Sequence, residues 1–409
     1  MTIAQQIVPP RVARQLTQRK IFEALLLQGP ISRADLAKVT GLSKQTTSEV
    51  VDKFEQQGLV RSVGRTSGNV GRTAVLYELS PDGGYCLGVD LGGTKLSAVI
   101  ADISGKVLAE VTEPTDQRGG TVVLDQITRL TLRLARDLGI HPSRIRSSTI
   151  GTPGVVNPKS GAVELAPNIA HLGEVDVIST LSERLGGLVT VDNDVNLGLL
   201  GEMWHGCAQN VANVAFVALG TGLGLGLCAN GQLVRGDNGA AGEIGYFPIG
   251  GDPWRSSVRE QGCLEYEAGA AGIVRRYRQA GGAEVDGVRA IFDRMNNGEK
   301  LAAQTIDDTA RLIAQAVAIV AVTADPKLVV LGGSIGARAD FTEKVSAELS
   351  RLTPRVVEIL PSALGNRASV VGALAVALNR LHEDLFGVAE LPGALPLPAP
   401  KSGKERIPV

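Results

Sequence analysis

YCLGVDLGGTK (Tyr85 to Lys95) runs from an apolar stretch directly into paired glycines, and about 130 residues later VAFVALGTGLG (Val214 to Gly224) repeats the pattern. Each stretch reads as a buried strand stopped by a glycine turn. Together they suggest two similar halves facing one cleft. Glycine lets backbone N–H groups approach an anion closely, and the hydroxyls of Thr94 and Thr221 add donors. Neither turn has the glycine-lysine-serine/threonine ending of a Walker loop or the dinucleotide fingerprint, so the common single phosphate loop is excluded.

Between the two turns, the apolar strand Leu188 to Val191 leads into VDNDVN (Val191 to Asn196). A carboxylate at a strand end in a cleft can take a proton from a substrate hydroxyl within hydrogen-bond reach. A simple Asn-Asp turn is the alternative. Downstream, Thr305 is expected to start a long apolar helix capped by Asp308. Lys327 to Leu331 reads as a strand leading into Gly332-Gly333, a third glycine pair against which a planar adenine could lie. Residues 389–409 are rich in Pro, Gly and Lys and are expected to form a disordered tail.

Upstream the pattern changes. Ile21, Ala24 and Leu25 recur at helical spacing within Gln18 to Gln28, and Gly29-Pro30 closes that helix. Ser32 is placed to cap a second helix, with Asp35 completing a capping-box-like pair, and Gly41 stops it. Ser43 caps a third helix, whose Thr47, Val50, Val51 and Phe54 define a buried face and leave Lys44, Gln45 and Ser48, with Thr46 beside them, on the first turns. This is the spacing of a helix-turn-helix that lays its recognition helix in the major groove. Leu59 to Val63 and Ala74 to Leu79 read as the strands of a wing around a loop from Gly64 to Gly71. Arg65 and Arg72 sit in or beside its tip, placed to neutralise phosphates or enter a minor groove. Residues 1–80 hold eleven Lys/Arg against six Asp/Glu, whereas the remainder holds 30 against 36, so a basic front precedes an acidic body. The linker is Ser80-Pro81-Asp82-Gly83-Gly84.

At 409 residues the chain exceeds one usual domain. No apolar run follows basic residues at the start, and the longest apolar helical stretch, Leu312 to Ala324, is too short to span a bilayer, so a cytoplasmic protein without membrane contact is expected. The four cysteines, Cys86, Cys207, Cys228 and Cys263, lack CxxC spacing, which argues against a disulfide framework and a cysteine-rich metal module.

Taken together, these motifs resemble the ROK family of repressors, open reading frames and sugar kinases, from Arg14 to about Leu381. GVDLGGTK (Gly88 to Lys95) and LGTGLGLG (Leu219 to Gly226) resemble its phosphate motifs. GTPGVV (Gly151 to Val156), APN (Ala166 to Asn168), AAGEIGY (Ala240 to Tyr246) and GCLE (Gly262 to Glu265) resemble its sugar and zinc motifs. VDNDVN resembles the catalytic segment and VLGGSIG (Val330 to Gly336) the adenosine motif. SRADLAKVTGLSKQTTSEVV (Ser32 to Val51) with GRTA (Gly71 to Ala74) is similar to the regulator branch.

The resemblance implies an α/β chain with an N-terminal winged helix-turn-helix over 1–80, then a two-lobed actin-like/hexokinase-like ATPase fold over 85–388. It implies that Asn193, Asp194, Glu243 and Glu265 bond sugar hydroxyls, with Gly154, Asn168 and Tyr246 nearby. Asp194 would be the base in any phosphoryl transfer and Asp90 would orient hydrated magnesium. Gly92, Gly93, Thr94, Lys95, Gly220, Thr221, Gly222, Gly332 and Gly333 would hold the nucleotide. The family's structural zinc is not expected, because Tyr246 replaces its histidine and Ser256 and Val258 replace two cysteines, leaving Cys263. Three readings stay open: a regulator, a repressor in kind, of carbohydrate metabolism gated by a sugar or phosphosugar; an ATP-dependent, glucokinase-like kinase that also binds DNA; and a kinase with an appended interaction module. The first implies a homodimer or homotetramer on an inverted-repeat operator. Magnesium and ATP remain open for all three.

Overall fold

The computed structural model describes residues 10–65, 73–157, 159–164, 168–354 and 357–386. Arg72 and the expected tail at 389–409 lie outside the described residues.

The front end folds as its caps dictate. Helix Pro10–Gln28 begins well before Gln18. Ser32 caps helix Arg33–Thr40, its hydroxyl accepting the Asp35 N–H at 3.2 Å and donating to the Asp35 carboxylate at 2.7 Å. Gly41, at φ 70°, ends it. Ser43 caps helix Lys44–Gln56 by accepting the Thr46 N–H at 3.0 Å, and Thr47, Val50, Val51 and Phe54 are buried as the periodicity requires. The wing hairpin pairs Val60–Arg65 with Val75–Leu79. Gly64 and Arg65, expected in the loop, continue the first strand through a bulge after Ser62. The short strand Ile31–Ser32 joins Val75–Leu79 as a third, antiparallel member that periodicity alone does not reveal.

The recurrence of strand and glycine turn is a recurrence of topology. In the first lobe the sheet order is Leu188–Asn193, Ile145–Thr152, Tyr85–Leu91, Lys95–Asp102, Val107–Pro114. In the second it is Glu358–Pro361, Leu328–Gly332, Val214–Leu219, Leu223–Ala229, Gln232–Leu233. Each starts at the central strand, hairpins outward through two antiparallel neighbours and adds two parallel strands on the other side.

Both central strands are apolar on both faces because both faces are covered. Leu87, Val89 and Leu91 pack under helices Gly120–Asp137 and Val177–Leu185, while Cys86 faces helix Ala368–Phe386. Ala215, Val217 and Leu219 pack under helix Lys300–Ala324, while Val214 and Phe216 face helix Asp194–His205. That long helix starts at Lys300, not Thr305, because its buried stripe extends back to Ala302. Thr305 bonds within it to the Leu301 carbonyl, and Asp308 pairs with Gln304 and Arg311 rather than capping. No helix among the described residues is long and apolar enough to cross a membrane.

The helices exchange lobes. Helix Asp194–His205 follows the last strand of the first sheet but packs on Leu223–Ala229 and Val214–Leu219 of the second. Helix Ala368–Phe386 follows the second sheet and packs on Tyr85–Leu91 and Ile145–Thr152 of the first. Where the two cross, a Cβ on Gly201 would lie 2.2 Å from the Ala368 carbonyl oxygen and one on Gly372 would lie 1.8 Å from that of Leu197. Only glycine permits this backbone contact.

Buried Glu202 ties the crossing to the loop that enters helix Ala368–Phe386. Its carboxylate accepts the N–H groups of Cys207 at 2.9 Å, Leu364 at 2.9 Å and Ala363 at 3.3 Å, and the Ser362 hydroxyl. Glu202→Ala strands these donors and should cost about 2–4 kcal/mol. A urea unfolding midpoint unchanged from the parent would contradict this.

Candidate functional site

The strand end Val191-Asp192-Asn193 becomes a helix start because Asn193 is an N-cap. Its Oδ1 accepts the N–H groups of Val195 at 2.9 Å and Asn196 at 3.1 Å, and its Nδ2 donates to the Gly154 carbonyl at 2.9 Å. Asn193 and Gly154 are thus brought together, and one amide hydrogen remains for a ligand. Asp194 occupies the first helical position.

Four carboxylates from the two lobes converge here. Burial pushes the Asp194 carboxyl up to about 6, against the pull of backbone N–H groups. Burial pushes Asp90 up to about 7, with the charge of Asp194 adding to the shift and Lys95 opposing it. From the second lobe, Glu243 is raised by burial and then by the charges of Glu265 and Asp194. Burial also raises Glu265, opposed by the Leu223 N–H that donates to it at 2.8 Å. Such a cluster favours a ligand that donates several hydrogen bonds and brings no negative charge.

The remaining expected residues fall at different depths around this cluster. Tyr246 lies near Glu243 and Glu265, whose charges add to burial in raising its phenol, and its hydroxyl donates to the Glu260 carbonyl at 2.8 Å. Asn168 lies against the first glycine turn, its carbonyl oxygen 2.9 Å from where a Gly93 Cβ would stand. Glu265 lies equally close to Gly222 of the second turn. The first turn is held by Thr115, whose hydroxyl donates to the Gly92 carbonyl at 2.6 Å and whose N–H donates to that of Thr94 at 3.1 Å, and by Gln117, which donates to that of Gly93 at 3.1 Å. Thr94, Lys95 and Thr221 are exposed, and Gly220 faces Ser334. Gly332 and Gly333 have a packing role, since the Phe216 ring fills the space beside the first and the Leu219 backbone that beside the second.

Sequence reasoning missed Arg235. Asp192 is buried and accepts from Arg235 Nη2 at 2.6 Å and Nε at 3.2 Å, joining the last strand of the first lobe to the loop that leads to Glu243. A second cross-lobe pair, Lys159 with Asp237 at 3.1 Å, is exposed. The only signal in the sequence was a basic residue shortly before Gly-Glu, which carries no distance.

The residues where the family holds zinc do not fit that metal. Val258 is buried as an apolar side chain, the Cys263 thiol donates to the Ile249 carbonyl at 3.4 Å, and Tyr246 offers a phenol already engaged.

At the reader, Lys44 and Gln45 are exposed on the first turn of helix Lys44–Gln56, while Thr46 and Ser48 are half-buried. The Thr46 hydroxyl bonds that of Ser43 at 2.8 Å, so Thr46 belongs to the cap, and Gln45 leans on Glu49 at 3.1 Å. Arg65 is exposed at the end of its strand. Arg33 pairs with Asp52 at 2.6 Å across the Tyr77 ring, and Arg61 pairs with Glu78 at 2.7 Å, so both are neutralised within the module.

Two outcomes follow from the pocket's electrostatics. A carboxyl near 6 in the folded chain and near 4 unfolded penalises the folded state above pH 6, and the penalty vanishes below pH 4. Asp194→Asn should therefore stabilise the protein by about 1–3 kcal/mol at pH 8 and by nothing at pH 3.5. Paired denaturation curves at the two pH values check this, and a gain that persists at pH 3.5 contradicts it. Removing Asp192 and Arg235 singly and together should give a coupling of about 1–3 kcal/mol in a double-mutant cycle, because the carboxylate is buried. Lys159 with Asp237 should give less than about 0.5 kcal/mol. Equal couplings would remove the distinction.

Residues 15–72 match the MarR family and residues 86–380 the ROK family. The xylose repressor of Bacillus spizizenii is 24% identical over 90% of this chain and 96% of its own length. The glucokinase of Halalkalibacterium halodurans is 31% identical over 70% of this chain and 93% of its own. A solved ROK family transcriptional regulator, described as a homologue of the Escherichia coli MLC protein, superposes with a TM-score of 0.74 at 23% identity, covering 93% of this chain and 99% of its own. With two sheets of one topology, carboxylates converging between them and the family match spanning most of the sequence, this chain belongs to the ROK family.

Proposed function

We propose that this protein is a sugar-responsive, DNA-binding repressor of carbohydrate metabolism, acting in the cytoplasm as a homodimer or homotetramer on an inverted-repeat operator. The observation that carries this reading is a capped helix-turn-helix with exposed Lys44 and Gln45 joined by one apolar core to a two-lobed body in which four carboxylates cluster. The similarity to a xylose repressor covers 90% of this chain, more than the body alone can supply, whereas that to a glucokinase covers 70%. One recognition helix meets only a few base pairs, so discrimination within a genome requires two half-sites read by a symmetric pair. The pocket favours a neutral sugar whose hydroxyls donate to Asp194, Glu243 and Glu265, with Asn193 contributing its remaining amide hydrogen.

A kinase reading is favoured by one observation. Asp194 stands at the head of its helix with a carboxyl near 6, suited to take a proton from a sugar hydroxyl at neutral pH. In that reading Asp90 would face hydrated magnesium and the turns at Gly92-Gly93 and Gly220-Thr221-Gly222 would face the phosphates. Bound magnesium and ATP would supply charge neutralisation and the transferable phosphoryl group.

Titration of an operator fragment with parent and variant proteins separates the two. Lys44→Ala and Gln45→Ala should each reduce preference for operator over random DNA by about 1–3 kcal/mol. Arg65→Ala should weaken both alike and reduce the salt slope by about 1. A parent with no preference for any genomic fragment, but with sugar-dependent ATP turnover abolished by Asp194→Asn, would establish the kinase instead.

A further inference from the structure

We propose that helix Ala368–Phe386 is the lever that transmits the state of the sugar pocket to the DNA reader, and that the reader moves with this helix rather than swinging on its linker. The proposal rests on the regulator reading above and specifies how its two ends communicate.

The near end of the helix touches the pocket. Ser369 Oγ donates to the backbone carbonyl of Asp194 at 2.8 Å, and Gly372 rests on the Leu197 carbonyl one turn further along the helix that Asp194 begins. At Gly372 no side chain stands between the two backbones to absorb a displacement. The middle of the lever lies on the strand carrying Asp90, where a Cβ on Gly88 would stand 2.7 Å from the Leu374 nitrogen.

Its far end belongs to the core of the reader. Leu374, Leu378 and Leu381 share one apolar cluster with Ile21, Phe22 and Leu25 of helix Pro10–Gln28. The His382 ring meets Phe22 edge-on with centroids 4.9 Å apart, and its Nε2 is hydrogen-bonded to the Ile103 carbonyl at 2.8 Å, fixing the ring against the first lobe. Ser369 and His382 are thirteen residues apart, so the lever spans about 20 Å as an α-helix.

The linker gives the reader no independent swing. A Cβ on Gly83 would stand 3.2 Å from the Ile103 side chain and 3.4 Å from the Leu59 backbone, so this segment is squeezed between body and reader. The Ser80 N–H donates to the Leu59 carbonyl at 2.8 Å, and the Tyr85 hydroxyl to Asp82 at 2.6 Å. Packed cores of this kind transmit small shifts as rigid-body rotations. A sugar that draws Glu243 and Glu265 toward Asp194 would rotate the crossed helices, and the far end of the lever would reorient the reader relative to that of a partner copy. The ligand acts only through its unequal affinity for the two arrangements.

The test uses the full chain with D-xylose, D-glucose and N-acetyl-D-glucosamine as probes. For parent, Phe22→Leu, Ser369→Ala and Gly372→Ala, three quantities are measured: the sugar-induced rise in melting temperature, the ratio of operator Kd with and without sugar, and sugar-induced changes in amide exchange over Pro10–Gln28. The parent should show at least a fivefold change in operator Kd and altered exchange in that helix. Phe22→Leu should keep the rise in melting temperature while its Kd ratio falls to within about twofold of one and the exchange change disappears. Ser369→Ala should lower the ratio in the same direction. Gly372→Ala forces the crossing apart and should show the largest loss where it folds; Phe22→Leu keeps the test decisive where it does not. A parent that responds to sugar while Phe22→Leu responds equally overturns the lever and leaves the regulator reading intact. A parent whose operator affinity responds to none of the three sugars overturns both.

Discussion

The backbone contact of Gly201 with Ala368 and of Gly372 with Leu197 is the constraint on which the rest of the structure depends. Each helix at this crossing follows one sheet and covers the other, so neither lobe has a complete core without its neighbour. A side chain at either glycine would hold the helices apart and open both cores at once. Glu202 reinforces the arrangement from within, since its carboxylate collects N–H groups from the exit of one crossing helix and the entry to the other. The pocket lies at the head of the same crossing, and its geometry is inherited from how closely the helices approach.

The pocket itself is held against its own electrostatics. Asp90 and Asp194 come from the first lobe and Glu243 and Glu265 from the second, and burial raises every one of them. Their mutual repulsion opposes closure, while the ion pair of Asp192 with Arg235 resists opening from just behind. Hydroxyl donors placed between the carboxylates would relieve the repulsion without adding charge. The same arrangement suits binding in a regulator and proton abstraction in a kinase, which explains how related bodies can carry either role. In this chain the reader shares a core with the helix that crosses behind the pocket.

Local chemistry was legible in the sequence wherever it acts over a few residues. The caps at Ser32 and Ser43, the stop at Gly41 and the buried stripe from Thr47 to Phe54 follow from spacing alone, because capping and amphipathicity act within one or two turns. The start of helix Lys300–Ala324 was misplaced because Thr305 and Asp308 imitate a cap, while the burial of Ala302 that overrules them is a tertiary matter. Gly332 and Gly333 read as a ligand surface, and the packing of the Phe216 ring and the Leu219 backbone beside them has no signature along the chain.

By itself, then, the sequence determined the order of the modules, the recurrence of strand and glycine turn, and the family in which both are found, since motifs in fixed order carry that information without distances. Only the tertiary structure decided that Arg235 meets Asp192 across the lobes, that the Asn193 amide reaches the Gly154 carbonyl, that the Tyr246 hydroxyl donates to the Glu260 carbonyl, and that Phe22 of the reader rests on His382. These are contacts between residues tens to hundreds of positions apart. They arise because two sheets of one topology exchange their last helices, which places side chains by packing rather than by chain proximity.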